Sequence, residues 1–213
     1  PADSITYLTA SEAETLLQVP LAKSTPLKIL RDRLLLGLMT LEGVRSMEVH
    51  RANVGDIRRD PTGVGITVMS KRQQRVVPLI PDLVDVLDRY LLARRQAKFS
   101  TAAATPLFIN VHHPRHQIDP DREDRRLSRR GIRFIVDSYL TALNLKHGEG
   151  RTLSAHSLRH TAGTLAIQNG ASLRQVQDLL GHADPKTTAI YTHIGDRWVN
   201  NPALKLGIRL NPD

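Results

Sequence analysis

The chain has 213 residues, 40% of them hydrophobic, and its 30 Lys and Arg outnumber 21 Asp and Glu to give a formal charge of +9. This length has room for one sizeable core or two small domains, and the cationic surplus favours a polyanionic partner, nucleic acid first. There is no cysteine, which excludes a disulfide framework, a thiolate zinc site and a cysteine nucleophile, and fits a reducing cytoplasm.

The longest apolar run, Leu34 to Met39, is too short to span a bilayer, and no charged-then-apolar signal segment opens the chain. The first residue is Pro1, so we expect a processed chain or a piece of a longer protein, with an upstream domain outside it.

Thr9 and Glu12 form a capping box ahead of Ala13, Leu16 and Leu17, predicting a first helix. A longer buried helix should begin near Pro26, carry Leu27, Leu30, Leu34, Leu38 and Leu41 at helical spacing, and stop at Gly43. Val44 to His50 predicts one further short helix. The β-branched runs Val64–Met69 and Arg75–Leu79, separated by the polar Ser70–Gln74, read as a hairpin, with Val54–Ile57 as a third strand. Pro78 lacks an amide donor and belongs near a strand end or sheet edge.

Helical spacing resumes after Pro81 and runs to about residue 98. Residues 110 to 127 are polar and proline-punctuated, predicting a loop. Ser128 should cap a helix bearing Ile132, Ile135, Val136, Tyr139 and Leu143, which begins among Arg125, Arg126, Arg129, Arg130 and Arg133. We read Arg126, Arg129 and Arg130 in this cluster as contacts to DNA phosphate. Ser154 should cap a helix to about Gln168, Ser172 and Gln175 a second that Gly181 ends, and Asp184-Pro185 should open a third carrying Tyr191.

Phosphoryl transfer asks a protein for a nucleophile, positioning and charge stabilisation. His156, Arg159 and His160 are three and four apart, so they share a helix face while Leu158 points away. A tyrosine hydroxyl, with its ordinary pKa near about 10, attacks only beside a proton acceptor or in a strongly cationic pocket. The histidines and arginine near Tyr191 offer both.

The run "HSLRHTAGTLAIQNGASLRQVQDLLGHADPKTTAIYTH" from His156 strongly resembles the signature of tyrosine recombinases of the phage integrase family. Gly43–Glu48 resembles the family's first-arginine motif, "ITVMSKRQQRVVPL" its lysine-bearing hairpin, and nearly the whole chain from Tyr7 onward its catalytic domain. The resemblance implies an α+β fold, mainly helical with a small three-stranded antiparallel sheet, as a single catalytic domain over residues 1–213 with a docking tail at 196–213. It implies Tyr191 as nucleophile, forming a 3′-phosphotyrosyl bond and expelling a 5′-hydroxyl. Arg45 and Arg159 would neutralise the phosphate, Lys71 would protonate the leaving oxygen, His156 would manage the proton, and His182 would hydrogen-bond the phosphate, with Glu48 in support.

Where relatives often show glycines around the lysine, this chain has Ser70 and Arg72, leaving Arg72 and Arg75 as alternatives for that role and as DNA contacts. The chemistry conserves phosphodiester energy, so no cofactor, metal or ATP is implied. Double-stranded DNA is the implied partner, with a homotetramer on paired sites and a cytoplasmic, nucleoid-associated location. We expect the family's amino-terminal DNA-binding domain to lie outside these residues, which predicts weak, nonspecific DNA binding by these residues alone.

Three other readings stand beside this one. Residues 155–168, the turn Asn169–Ser172 and the helix after it fit a noncatalytic helix-turn-helix DNA binder. A type IB topoisomerase would use similar chemistry. His112, His113 and His116 lack a carboxylate partner at ligand spacing, which disfavours a metal site. Trp198, Val199, Leu204, Leu206 and Ile208 in the tail suit docking either on the same domain or on a neighbouring protomer.

Overall fold

A computed structural model describes residues 6–70, 74–111, 125–148, 150–181 and 201–210. In chain order the helices are α1 (Ala10–Gln18), α2 (Pro26–Thr40), α3 (Ser46–Arg51), α4 (Pro81–Gln96), α5 (Arg129–Ala142), α6 (Ala155–Gln168) and α7 (Leu173–Leu180). The strands are β1 (Ile57–Asp60), β2 (Gly63–Met69), β3 (Gln74–Pro78), β4 (His147–Gly148) and β5 (Arg151–Thr152). The expected α+β class and the three-stranded antiparallel sheet are both present, with strand order β1-β2-β3.

Several boundaries follow from identifiable hydrogen bonds. Thr9 and Glu12 close the capping box of α1 reciprocally, and Thr25 caps α2 ahead of Pro26. Ser128 accepts from the Gly131 amide at the start of α5, and Ser172 and Gln175 cap α7. At α6 the expected roles are exchanged: Ser154 occupies the cap position, but it is the Ser157 hydroxyl that accepts from the Ser154 amide. Gly43 ends the α2 stretch with φ +64° and Gly181 ends α7 with φ +57°, a conformation that glycine reaches without Cβ strain.

One strand expectation needs correction. Val54–Asp56 is a 3-10 turn, and the third strand starts at Ile57. Its reason is local: the Asp56 carboxylate accepts from the Asn53 amide at 2.7 Å, which curls the backbone before pairing begins. The short β4–β5 ladder, His147 opposite Thr152, was not foreseen because strands of two residues carry no periodicity. Pro78 closes β3, an edge strand, where its missing N–H leaves no central ladder bond unmade.

α2 is the centre of the molecule. Leu34, Leu35, Leu36, Leu38, Met39 and Leu41 are all buried, and the helix packs most extensively on α4 and α6. The extended residues before α1 lie across α6, where the Leu8 amide donates to the Thr161 hydroxyl at 2.9 Å and Thr6 meets the Ser157 hydroxyl at 3.1 Å.

Charge also enters this core. Arg31 binds Asp32 through Nε and Nη2 and the Ile109 carbonyl through Nη1, while Tyr139 donates to the other Asp32 oxygen. Arg94 holds the Pro106 and Leu107 carbonyls and fixes the connection after α4. Some of the cationic surplus is therefore interior structure and not surface field.

The tail from Asn201 returns to its own domain. Ala203, Leu206, Ile208 and Leu210 are buried, the Leu210 amide donates to Asp82, and a 3-10 turn at Pro202–Lys205 packs near α6 and α7. Asn201 donates to both oxygens of the fully buried Glu42 at 3.1 and 3.2 Å, and Glu42 also accepts from the Ile80 amide. Burial raises the Glu42 carboxyl to about 8 from its ordinary 4.5, against the opposing effects of the Asn201 and Ile80 hydrogen bonds and the Arg75 charge.

A carboxyl raised on folding is stabilised in its protonated form, so its contribution is full below 4.5 and is lost as pH climbs through about 8. Thermal unfolding followed from about pH 5 to about pH 9 should show Tm falling more steeply for the natural protein than for Glu42→Gln, whose amide does not titrate in that window.

Candidate active site

α3 begins one residue after Arg45, and Glu48 sits on its first turn. Glu48 accepts from the Arg45 amide at 2.8 Å, a half capping box that fixes the carboxylate. From there Glu48 binds two guanidinium groups, Arg45 through Oε1 and Arg75 through Oε2, each at 3.1 Å. The carboxylate is 1% exposed. Burial alone would raise its pKa, but the Arg75 charge, the Arg45 amide and the Arg45 charge outweigh it and hold the group below its ordinary value.

Arg159 joins this cluster from α6. Its guanidinium donates to the Gly43 carbonyl through Nη1 and to the Leu180 carbonyl through Nη2. Arg75 donates to the neighbouring Leu179 carbonyl at 2.9 Å. The two arginines thus take the last carbonyls of α7, where the helix dipole favours cations. Burial, then Arg45, then Arg75 push Arg159 down to about 9, and Glu48 opposes them. Among the described residues, the cluster of Arg45, Arg75 and Arg159 has one carboxylate at hydrogen-bonding distance, a local excess of positive charge that an anion would relieve. The Arg159 fork also carries more donors than its two carbonyls use.

Two glycines permit this closeness. A Cβ on Gly181 would lie 2.6 Å from Arg75 Nε, and one on Gly43 would lie 2.4 Å from Leu180 Cδ2. Both positions also have positive φ, so a side chain would meet backbone strain and a steric clash together.

His156 lies on the exposed side of α6, with its ring edge-to-face on His160 at 4.3 Å. Burial, His156 and Arg159 lower the His160 pKa, consistent with a structural, neutral partner. Leu158 is fully buried on the opposite side, as its spacing predicts.

The structure brings Arg45 and Glu48, from one helix turn, together with Arg159 from α6, with His156 on the same helix as Arg159. Tyr191, Lys71, Arg72 and His182 lie outside the described residues, as do His112, His113 and His116. Among the described residues, no group of His, Asp and Glu is arranged to hold a metal, and no helix is long and apolar enough to cross a membrane.

Two residues expected to contact DNA have partners within the protein. Arg75 is 7% exposed and binds Glu48 and Leu179 inside the cluster. Arg126 spends its guanidinium on the His50 and Ala52 carbonyls and the Asn53 side chain, pinning the entrance of α5 to α3. Arg129 and Arg130 are exposed on the first turn of α5. The inward position of Arg75 had a sequence signal, because it shares strand parity with Val77, which faces the core.

Residues 6–197 match the model of the phage integrase family. The chain belongs to that family of tyrosine recombinases. It is 33% identical over 164 residues to tyrosine recombinase XerD of Staphylococcus epidermidis, covering 77% of this chain and 50% of that protein. With tyrosine recombinase XerC of Pelotomaculum thermopropionicum it shares 35% identity over 197 residues, covering 90% and 58%.

Among solved structures, the XerH site-specific recombinase bound to difH substrate in a pre-cleavage complex superposes with TM-score 0.64 at 25% identity, over 89% of this chain and 50% of that one. The XerA recombinase shares the fold with TM-score 0.64 at 24% identity. The chain thus spans about half the length of the first curated relative it matches. A noncatalytic helix-turn-helix protein and a topoisomerase are not favoured by membership in this family. α6 and α7 do form consecutive helices around a short turn, but the end of α7 is tied into the arginine cluster.

Removing the shared carboxylate should expose the charge imbalance. Glu48→Gln is expected to lower stability by about 3 kcal/mol, the usual consequence of leaving buried cations without their partner. Inorganic phosphate should restore part of that loss, and thermal unfolding with phosphate and with chloride at matched ionic strength checks both effects.

Proposed function

We propose that this chain is the catalytic domain of a site-specific DNA recombinase or integrase that cuts and rejoins DNA through a 3′-phosphotyrosyl intermediate on Tyr191. The observation that carries the reading is the cluster of Arg45, Arg75 and Arg159 around the buried carboxylate of Glu48. Among the described residues three guanidinium groups face one carboxylate, an excess of two positive charges that the charge of a phosphodiester reduces. Membership in the phage integrase family and the likeness to a recombinase described as DNA-bound support DNA as the partner.

In the proposed reaction the Tyr191 oxygen attacks the scissile phosphorus while the bond to the 5′-oxygen breaks. Arg45 and Arg159 bind the non-bridging oxygens, where their forked donors stabilise charge as it develops in the transition state. Arg75 acts through Glu48, which orients Arg45. His156 takes the phenol proton, His182 donates to the phosphate, and Lys71 gives a proton to the leaving 5′-hydroxyl. Reversal with a new 5′-hydroxyl rejoins the strand. The energy of the broken diester is kept in the phosphotyrosyl bond, so neither ATP nor a metal ion is required.

Arg129 and Arg130 on α5 are proposed to contact the DNA backbone. The complete protein is proposed to close around the duplex with a further DNA-binding domain, to act as a homotetramer on paired sites, and to work in the cytoplasm on the nucleoid.

The test is covalent trapping by the full-length protein on a nicked suicide DNA substrate. A denaturation-resistant protein–DNA adduct should form without divalent metal and vanish in Tyr191→Phe. Arg159→Ala should slow adduct formation by about 100-fold, the scale for loss of one preorganised donor. Persistence of the adduct in Tyr191→Phe would sink the reading, and strand exchange between two sites separates a recombinase from a topoisomerase.

A further inference from the structure

The proposed mechanism makes no use of Glu42 or Asn201, yet they form one of the most deeply buried polar contacts in the molecule. Glu42 follows the end of α2 and Asn201 opens the tail, far along the sequence. The Asn201 amide nitrogen reaches both Glu42 oxygens and the Pro78 carbonyl, while its oxygen accepts from the Ala203 amide. Glu42 has 0% and Asn201 3% relative exposure.

A fully buried carboxyl is a costly way to attach a tail that already buries Ala203, Leu206, Ile208 and Leu210. Apolar burial is non-directional, however, and would tolerate a shift of the segment. A carboxyl whose oxygens meet one side-chain amide and the Ile80 N–H tolerates no shift without leaving buried polar atoms unpaired. The pair therefore specifies position more than it adds adhesion.

What it positions follows from the adjacent residue. Gly43, next to Glu42, receives Arg159 through its carbonyl, and the same guanidinium binds Leu180 at the end of α7. Chain entering the stretch that carries Tyr191 is thus secured through Gly43, and chain leaving it is secured on Glu42. Both anchors immediately precede Val44 and Arg45.

We infer that Glu42 and Asn201 are a positioning pair, which fixes where the chain returns after Tyr191 and so sets the nucleophile against the arginine cluster. This rests on the function proposed above. The pair touches no reacting atom, and its effect is on the cleavage step and not on DNA affinity.

The experiment uses the full-length protein and measures two quantities for each variant: equilibrium affinity for the recombination site and the single-turnover rate of adduct formation on the nicked substrate. Asn201→Ala should slow adduct formation by about tenfold or more, the scale of a small misplacement of a reacting group, with affinity unchanged. Glu42→Gln, which keeps an acceptor for Asn201 and Ile80, should stay close to the natural rate, whereas Glu42→Ala should match Asn201→Ala. The double alanine variant should be no slower than either single one. Thermal unfolding monitors folding, and Asn201→Ser replaces any alanine variant that does not fold.

A fall in Tm with the adduct rate unchanged, or equal slowing by Glu42→Gln and Glu42→Ala, overturns the inference, as does a parallel loss of affinity and rate. Failure of the natural protein to form the adduct at all counts against the proposed function. Adduct formation at equal rates by the natural protein and Asn201→Ala counts against the positioning pair alone.

Discussion

Among the described residues the site depends on an electrostatic imbalance held inside the fold: one carboxylate, Glu48, placed between Arg45 and Arg75 with Arg159 close by. An isolated buried guanidinium is expensive, and a cluster of them compounds that cost through repulsion. The protein offsets it with backbone dipoles. Leu179, Leu180 and Gly43 present carbonyl oxygens to Arg75 and Arg159, so the end of α7 and the end of the α2 stretch serve as partial negative charges. The donors are consequently oriented before any ligand arrives, which is the arrangement that lowers reorganisation in phosphoryl transfer.

Those same bonds account for the architecture around the site. Arg75 comes from β3, Arg45 and Glu48 from the start of α3, Arg159 from α6, and their carbonyl partners from the loop after α2 and from α7. The small sheet matters chiefly because it delivers Arg75 to Glu48. Arg126 then extends the rigid region outward by locking α5 onto α3 through the His50 and Ala52 carbonyls. Chemistry-bearing side chains are thereby set on packed helices and a strand, with two left-handed glycines where the chain must pass closest.

Much of this was legible in the sequence where the physics is local. Thr9 with Glu12, Ser172 with Gln175, Gly43 and Gly181 mark helix ends by bonds that span a few residues, and leucine spacing identified α2 as interior. Arg45, Glu48 and Arg159 emerged from motif resemblance. What periodicity could not reveal were long-range polar partners. Asn201 was unremarkable until it met Glu42, and Arg31, Asp32 and Tyr139 form a network assembled only by packing. The direction of Arg75 shows how close such reasoning can come: alternation with Val77 indicates an inward strand position, but a charged residue is assigned to solvent unless its partner is known. Net charge likewise does not tell interior from surface cations, and Arg31, Arg94 and Arg159 are internal.

The sharing of one carboxylate by Arg45 and Arg75 also constrains how this protein can drift. Replacing Glu48 leaves two cations facing each other, replacing Arg75 leaves α7 without a donor at Leu179, and replacing Gly181 drives a methyl group into the Arg75 guanidinium. Each single step passes through a damaged intermediate, even where a coordinated set of changes would restore neutrality and packing. The cluster therefore changes only as a unit, whereas the exposed Arg129 and Arg130 on α5 can vary without disturbing the charge arrangement.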